Sequence, residues 1–324
     1  MKAIVFTEYG STDVLQLKEV ATPVPSDDEV LVKIHAASIN DWDWGLMHGE
    51  PVFTRLFTGL LKPKPSIQIP GCDIAGQIEA VGRNVDGFQP GDKVYGDLCQ
   101  SGFGAFAEYV CAPETALASM PPSMTFNEAA SIPQAAMLAV QGLFDRGKLH
   151  AEQKLLINGA GGGVGTFGVQ MAKTLGVEIT VVDSSVKLDM LRSLGAHHVI
   201  DYREEDFTRN GQRYDLILDT KTTRSMSDYL RSLSPNGIYV TVGGSMTRIF
   251  QALLLGPWIS RTRNKKVQIV ALKANKDLAY MNELFEAGEV IPVMDGPYEL
   301  RDVPEALRYF GKAEHKGKVI ITVT

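Results

Sequence analysis

Cysteine is scarce in this chain. Cys72, Cys99 and Cys111 are the three present among 324 residues, too few and too scattered for a disulfide framework or a cysteine-rich zinc lobe. That usage suits a reducing compartment. Positive charge is not in excess either: the net charge is −6 and the pI near 5.6, which lacks the electrostatic footprint of a general nucleic-acid or anionic-membrane binder. No apolar run reaches membrane-spanning length, and the opening MKAIVFTEYG shows no basic segment followed by a long apolar one. The expectation is a cytoplasmic protein with neither nucleic acid nor membrane as a partner. The length exceeds what one ordinary core needs and predicts two domains.

Glycine, by contrast, is concentrated where it says most. KLLINGAGGGVGTFGVQMAKTLGVEITVVD, residues 154–183, opens on the apolar run Leu155 to Ile157 and passes through glycines from Gly159 to Gly165. It then shows helical periodicity at Val164, Phe167, Gly168 and Met171. A second apolar run, Val177 to Val182, ends on Asp183, eighteen positions after Gly165. The stretch reads as a βαβ unit with a dinucleotide-binding turn. Its pattern is Gly159-x-x-Gly162-x-x-Gly165 in place of the common G-x-G-x-x-G. Glycines there permit positive φ and let backbone N–H groups and a helix N-terminus approach a pyrophosphate.

On either side of this unit the patterning differs. Up to about residue 120 the chain is β-rich, with short β-branched or aromatic runs at Lys2 to Phe6, Glu29 to His35, Gly76 to Val81, Lys93 to Tyr95 and Phe106 to Val110. Turn signals such as Gln89-Pro90-Gly91-Asp92 separate them. A long loop is expected from Ser38 to Pro70, where the prolines of GLLKPKPSIQIP oppose regular helix. From Thr125 a helical pattern appears, broken at Pro133, and after the βαβ unit strands and helices alternate as in a parallel sheet covered on both faces. The last strand, Lys318 to Val323, has the option of returning to the first domain.

GDKVYGDLCQSGFGAFAEYV, the glycine turn, LRSLGAHHVIDYREEDF, YDLILD, LSPNGIYVTVGG and the ending HKGKVIITV together resemble the medium-chain dehydrogenase/reductase superfamily. Within it they are similar to the zinc-free quinone oxidoreductase branch. The resemblance covers nearly the whole chain in order. It implies an α/β protein with a GroES-like, β-rich catalytic domain at 1–122 and 273–324, and a Rossmann doubly wound parallel sheet at 123–272. A cofactor cleft between them and a homodimer are further implications.

Zinc-dependent relatives have a cysteine where this chain has Asn40, and Gly-His-Glu where it has Gly71-Cys72-Asp73. With about three Cys, His or carboxylate ligands needed, no metal is expected, and Cys72 reads as a small buried hydrophobe. Without a Lewis acid, reduction of an already electrophilic small molecule, a quinone or an α,β-unsaturated carbonyl, is the natural chemistry, with the nicotinamide supplying the hydride. Asn40, in Ala37-Ser38-Ile39-Asn40, matches the family's ASxN segment; it reads either as a hydrogen-bond donor to the acceptor carbonyl or as a loop-stabilising side chain. No tyrosine proton donor lies between Glu50 and Pro70.

For the cofactor, the resemblance singles out Gly159, Gly162, Gly163, Val164 and Gly165 at the turn, and Gly243 and Gly244 near the nicotinamide. Asp183 suits the ribose hydroxyls of NAD. Ser184, Lys187 and Tyr202 match positions that hold the 2′-phosphate of NADPH, and at an effective dielectric near 20 a charge pair about 4 Å apart interacts by roughly 4 kcal/mol, so Lys187 would nearly cancel Asp183. The reading is NADPH, with NADH as the alternative. An enoyl-thioester reductase and a nucleotide-binding redox sensor or assembly protein with little turnover are the competing functions.

Overall fold

The computed structural model describes residues 1–323. The chain divides into two compact units: Met1–Gln134, Ala274–Glu286 and Pro292–Thr324 form the first, Ala135–Lys273 and Ala287–Ile291 the second.

The first unit begins with β1 (Lys2–Val5) and β2 (Gln16–Glu19), an antiparallel pair. β3 (Glu29–Ser38), β4 (Asp73–Val81), β5 (Lys93–Asp97), β6 (Tyr109–Pro113) and β7 (Ala118–Ser119) follow. Val30, Val32, Ile34 and Ala36 alternate inward along β3, the period-2 signature of a strand with one face on a core. The strand predicted at Phe106 to Val110 lies three residues later, because Ala105 to Ala107 are instead buried in the lead-in, where Ala107 forms a single bridge to Ala3.

The expected loop from Ser38 to Pro70 is not irregular throughout. It carries α1 (Asp41–His48) and a short α2 (Arg55–Thr58). The Asp43 carboxylate accepts the Asn40 N–H at 2.8 Å, satisfying a donor that would otherwise be orphaned at the helix start. Gly49 closes α1 in the left-handed region at φ +64. Two further helices, α3 (Phe126–Ser131) and α4 (Pro133–Val140), meet at the predicted break.

The second unit is a six-stranded parallel sheet of β8 (Lys154–Asn158), β9 (Glu178–Asp183), β10 (His198–Asp201), β11 (Tyr214–Asp219), β12 (Leu233–Thr241) and β13 (Lys266–Ile269). The order is β10-β9-β8-β11-β12-β13, so the topology reverses between β8 and β11. The central strands are buried almost end to end, as parallel strands covered on both faces must be. α5 (Gly163–Thr174), α6 (Ser185–Leu194), α7 (Met226–Ser232) and α8 (Met246–Thr262) provide the cover. α8 runs unbroken through Gly256-Pro257, residues that locally oppose helix. Its Ala252, Gly256 and Ile259 are buried, and Gly256 fits against Val267 of β13. Phe250, Leu254 and Trp258 on the same helix are exposed.

The chain then returns to the first unit with α9 (Leu278–Glu286), β14 (Met294–Glu299), α10 (Val303–Gly311) and β15 (Lys318–Thr322). β15 pairs antiparallel with β3, placing Ile320 opposite Ser38, so the first unit is discontinuous in sequence. Among the described residues no helix is long and apolar enough to cross a membrane.

Candidate active site

The carboxyl ends of the parallel strands collect the second unit's polar groups. In open α/β sheets ligands bind at this edge, beside the point where strand order reverses. β8 ends at Asn158 and turns through Gly159, whose φ of +80 favours glycine. A side chain there would also strike Thr220 and Lys221, which follow β11. Gly162 precedes α5 as its N-cap and has open space where a Cβ would lie; Gly163 is the first helical residue. Val164, half-buried, is the next. A Cβ on Gly165 would lie 2.3 Å from the Cα of Ala160, so that glycine serves close helix–turn packing.

β9 delivers Asp183, and its carboxylate is turned inward. One oxygen accepts the N–H of Gly161 at 2.7 Å, the other the N–H of Ser184 at 2.8 Å, and the Lys187 ammonium lies 3.8 Å away. Lys187 is 4% exposed, and its stem lies where a Gly161 side chain would be. Ser184 is the N-cap of α6. Tyr202 sits just after β10, its N–H donating to the Asp183 carbonyl at 3.2 Å and its ring exposed, with the Arg203 guanidinium 5.6 Å from the ring centroid. Gly244 takes a φ of +99, and Gly243 faces open space. The fold therefore brings Gly159, Gly162, Gly163, Val164, Gly165, Asp183, Ser184, Lys187, Tyr202, Gly243 and Gly244 to one sheet edge. This edge suits a dinucleotide, with open backbone at Gly162 and a helix N-terminus at Gly163. Sequence reasoning missed Lys221 and Arg203, whose only linear signal is their position two residues past a strand end.

Asn40 lies in the first unit, 6% exposed, in a buried polar cluster drawn from separated segments. Its Nδ2 donates to Asp73 Oδ2 at 2.9 Å, while its Oδ1 accepts from the Lys318 ammonium. Lys318 also donates to Asp73 Oδ2 at 3.0 Å and to the Ile39 carbonyl at 3.1 Å. Asp73 Oδ1 accepts the backbone N–H of Gln134 at 3.2 Å. Nearby, Asp43 accepts the N–H of Gly71 at 3.1 Å, and the Cys72 thiol donates to it at 3.5 Å. Burial pushes the Asp43 carboxyl up to about 7. Burial, reinforced by the Asp73 charge, pushes Asp97 up to about 6. Burial first, and then the Asp43 charge, raises the Cys72 thiol well above its ordinary range. Lys318 was invisible to sequence reasoning, since in HKGKVIITV it looks no different from Lys316.

The comparisons agree with this architecture. Residues 26–122 match the model described as the alcohol dehydrogenase GroES-like domain, and residues 194–321 the model described as zinc-binding dehydrogenase. The chain is 32% identical to a 2-methylene-furan-3-one reductase of Solanum lycopersicum, the match covering 99% of this chain and 79% of the relative. It is 31% identical to a chloroplastic quinone-oxidoreductase homolog of Spinacia oleracea, over 99% of this chain and 98% of the relative. This chain belongs to the quinone oxidoreductase-like branch of the medium-chain dehydrogenase/reductase superfamily. The solved quinone oxidoreductase of Coxiella burnetii superposes with a TM-score of 0.88 at 26% identity, covering 100% of this chain and 99% of that one.

One matching model carries zinc in its name, and the residues at the ligand positions do not fit that ion. Asn40 is a poor ligand already bonded to an ammonium, and Asp73 is held by the same ammonium. Among the described residues no group of three His, Cys, Asp or Glu is placed to hold a metal ion.

Proposed function

We propose that this enzyme transfers a hydride from NADPH, without zinc, to a quinone or an α,β-unsaturated carbonyl. The names of its relatives, a quinone oxidoreductase homolog and a reductase of a methylene-bearing furanone, support that acceptor class. NADPH is favoured by one observation above all: the Asp183 carboxylate is already occupied by the N–H groups of Gly161 and Ser184 and faced by Lys187. An acid that is 8% exposed and turned onto its own backbone is poorly placed for ribose hydroxyls, and the adjacent ammonium offsets its repulsion of a 2′-phosphate. Ser184, Lys187 and Tyr202, with Arg203 beside the ring, then form the phosphate-facing group. When bound, the cofactor supplies the hydride. The chain's own residues hold the dinucleotide at the sheet edge, and Asn40 offers an N–H to the acceptor oxygen as negative charge grows on it. We infer a homodimer from the family resemblance and a reducing, cytoplasmic location from the scarcity of cysteine.

The test is the loss of reduced-nicotinamide absorbance with a simple quinone and with an α,β-unsaturated aldehyde, run separately with NADPH and NADH. Faster oxidation of NADPH with either acceptor is expected. A preference for NADH would make Asp183 the deciding residue and reverse the cofactor assignment.

A further inference from the structure

Lys318 is 4% exposed, and its ammonium is fully used. It has three hydrogens and three acceptors: the Ile39 carbonyl, Asp73 Oδ2 and Asn40 Oδ1. This arrangement also settles which way the Asn40 amide faces. Turned over, its NH₂ would meet the ammonium and its oxygen would meet the Asp73 carboxylate, a double repulsion. With Oδ1 against Lys318 and one Nδ2 hydrogen on Asp73, the planar amide has a single N–H left, and its direction is fixed. Asp73 is held in turn by the Gln134 N–H. The positions that carry zinc ligands in metal-using relatives thus hold a lysine-centred clamp, and the Lys318 ammonium buried there is covalently part of the chain.

We propose that Lys318 is a positioning residue for the reduction: with Asp73 it aims the remaining Asn40 N–H at the acceptor's carbonyl oxygen, and its ammonium adds fixed positive charge behind that donor. The proposal rests on the function proposed above. Lys318 transfers no proton and touches no substrate; it acts through Asn40. Loss of the clamp therefore lowers turnover and leaves cofactor affinity alone, since the dinucleotide residues lie in the other unit.

The test compares wild type with Lys318→Met/Asp73→Asn, which removes both charges together so that neither is stranded, with Asn40→Ala, and with the triple variant. The expected double variant melts cooperatively and binds NADPH within about twofold of wild type. Its kcat is about 10- to 100-fold lower, the scale on which small misplacements at reacting atoms are felt. Adding Asn40→Ala should then cost little more, because coupled residues are non-additive. Wild-type kcat in the double variant, or losses that simply multiply, would overturn the positioning role. A second readout needs no turnover: the Asn40 side-chain amide ¹⁵N–¹H signals should be two resolved, slowly exchanging protons in wild type, and should shift and exchange faster in the double variant. Unchanged amide signals reject the clamp, whereas a wild type that oxidises no NADPH with either acceptor rejects the functional reading instead.

Discussion

The two polar centres of this protein are assembled in opposite ways. At the sheet edge of the second unit, Gly159, Gly161, Asp183, Ser184 and Lys187 come from one βαβ unit and the start of the helix that follows it, and the decisive contacts are backbone N–H groups meeting a carboxylate. In the first unit, Ser38, Asn40, Asp43, Cys72, Asp73, Asp97, Gln134 and Lys318 come from separated segments and meet side chain to side chain. Recognition by backbone demands glycines at fixed spacing and leaves a linear trace. A side-chain cluster demands only that strands pair in the right register, which no local pattern records.

That contrast is sharpest under mutation. The largest effect should come from Lys318→Met alone, which leaves Asp73 buried without its cation; breaking a buried pair in this way costs about 3–5 kcal/mol. Urea unfolding should show this, and Lys318→Met/Asp73→Asn should recover most of it. An equal loss in both variants would mean that packing, not charge, dominates at this site.

A pH experiment probes the same cluster. Asp43 is pushed up to about 7 from an ordinary value near 3.8, so the folded chain holds a proton there that the unfolded chain releases near pH 4. Its contribution is complete below about pH 4 and vanishes as pH rises through about 7. Stability should therefore fall with rising pH across that window, by up to about 1.4 kcal/mol per pH unit from this group. Asp43→Asn should flatten the slope of unfolding free energy against pH; parallel slopes in the two proteins would contradict the assignment.

The sheet edge should respond more narrowly. Gly165→Ala drives a Cβ to 2.3 Å from Ala160 backbone and is expected to cost about 1–3 kcal/mol by overpacking, seen as a lower unfolding midpoint. Gly162→Ala, with open space at its Cβ, should leave stability unchanged yet weaken NADPH binding in a fluorescence titration, since on the proposed function that space is where the cofactor would lie. Smallest is Lys187→Ala, expected to raise the Kd for NADPH about tenfold, roughly 1.4 kcal/mol, with a lesser effect on NADH. Equal changes for both would remove Lys187 from the phosphate site.

Several elements were legible because a local rule produced them. The glycine turn, the apolar runs of β8 and β9 and the break at Pro133 each follow from residues within one turn or strand. α1 was hidden inside an expected loop because its start depends on Asp43 reaching back to the Asn40 N–H, in a segment otherwise read through its later prolines. Gly256-Pro257 opposes helix locally, yet α8 continues through it because burial of Ala252, Gly256 and Ile259 outweighs that preference.

By itself the sequence determined the glycine turn, the alternation that gives a parallel sheet, and the family to which the chain belongs. Those features are periodic or local, so residue order suffices to specify them. Only the tertiary structure decided that Asp183 is already satisfied by its own turn, and that Lys318 reaches Asn40 and Asp73. Both depend on which strands lie side by side, and β15 meets β3 from the far end of the chain. Register, not proximity in sequence, placed an ammonium where the linear pattern showed only an ordinary lysine.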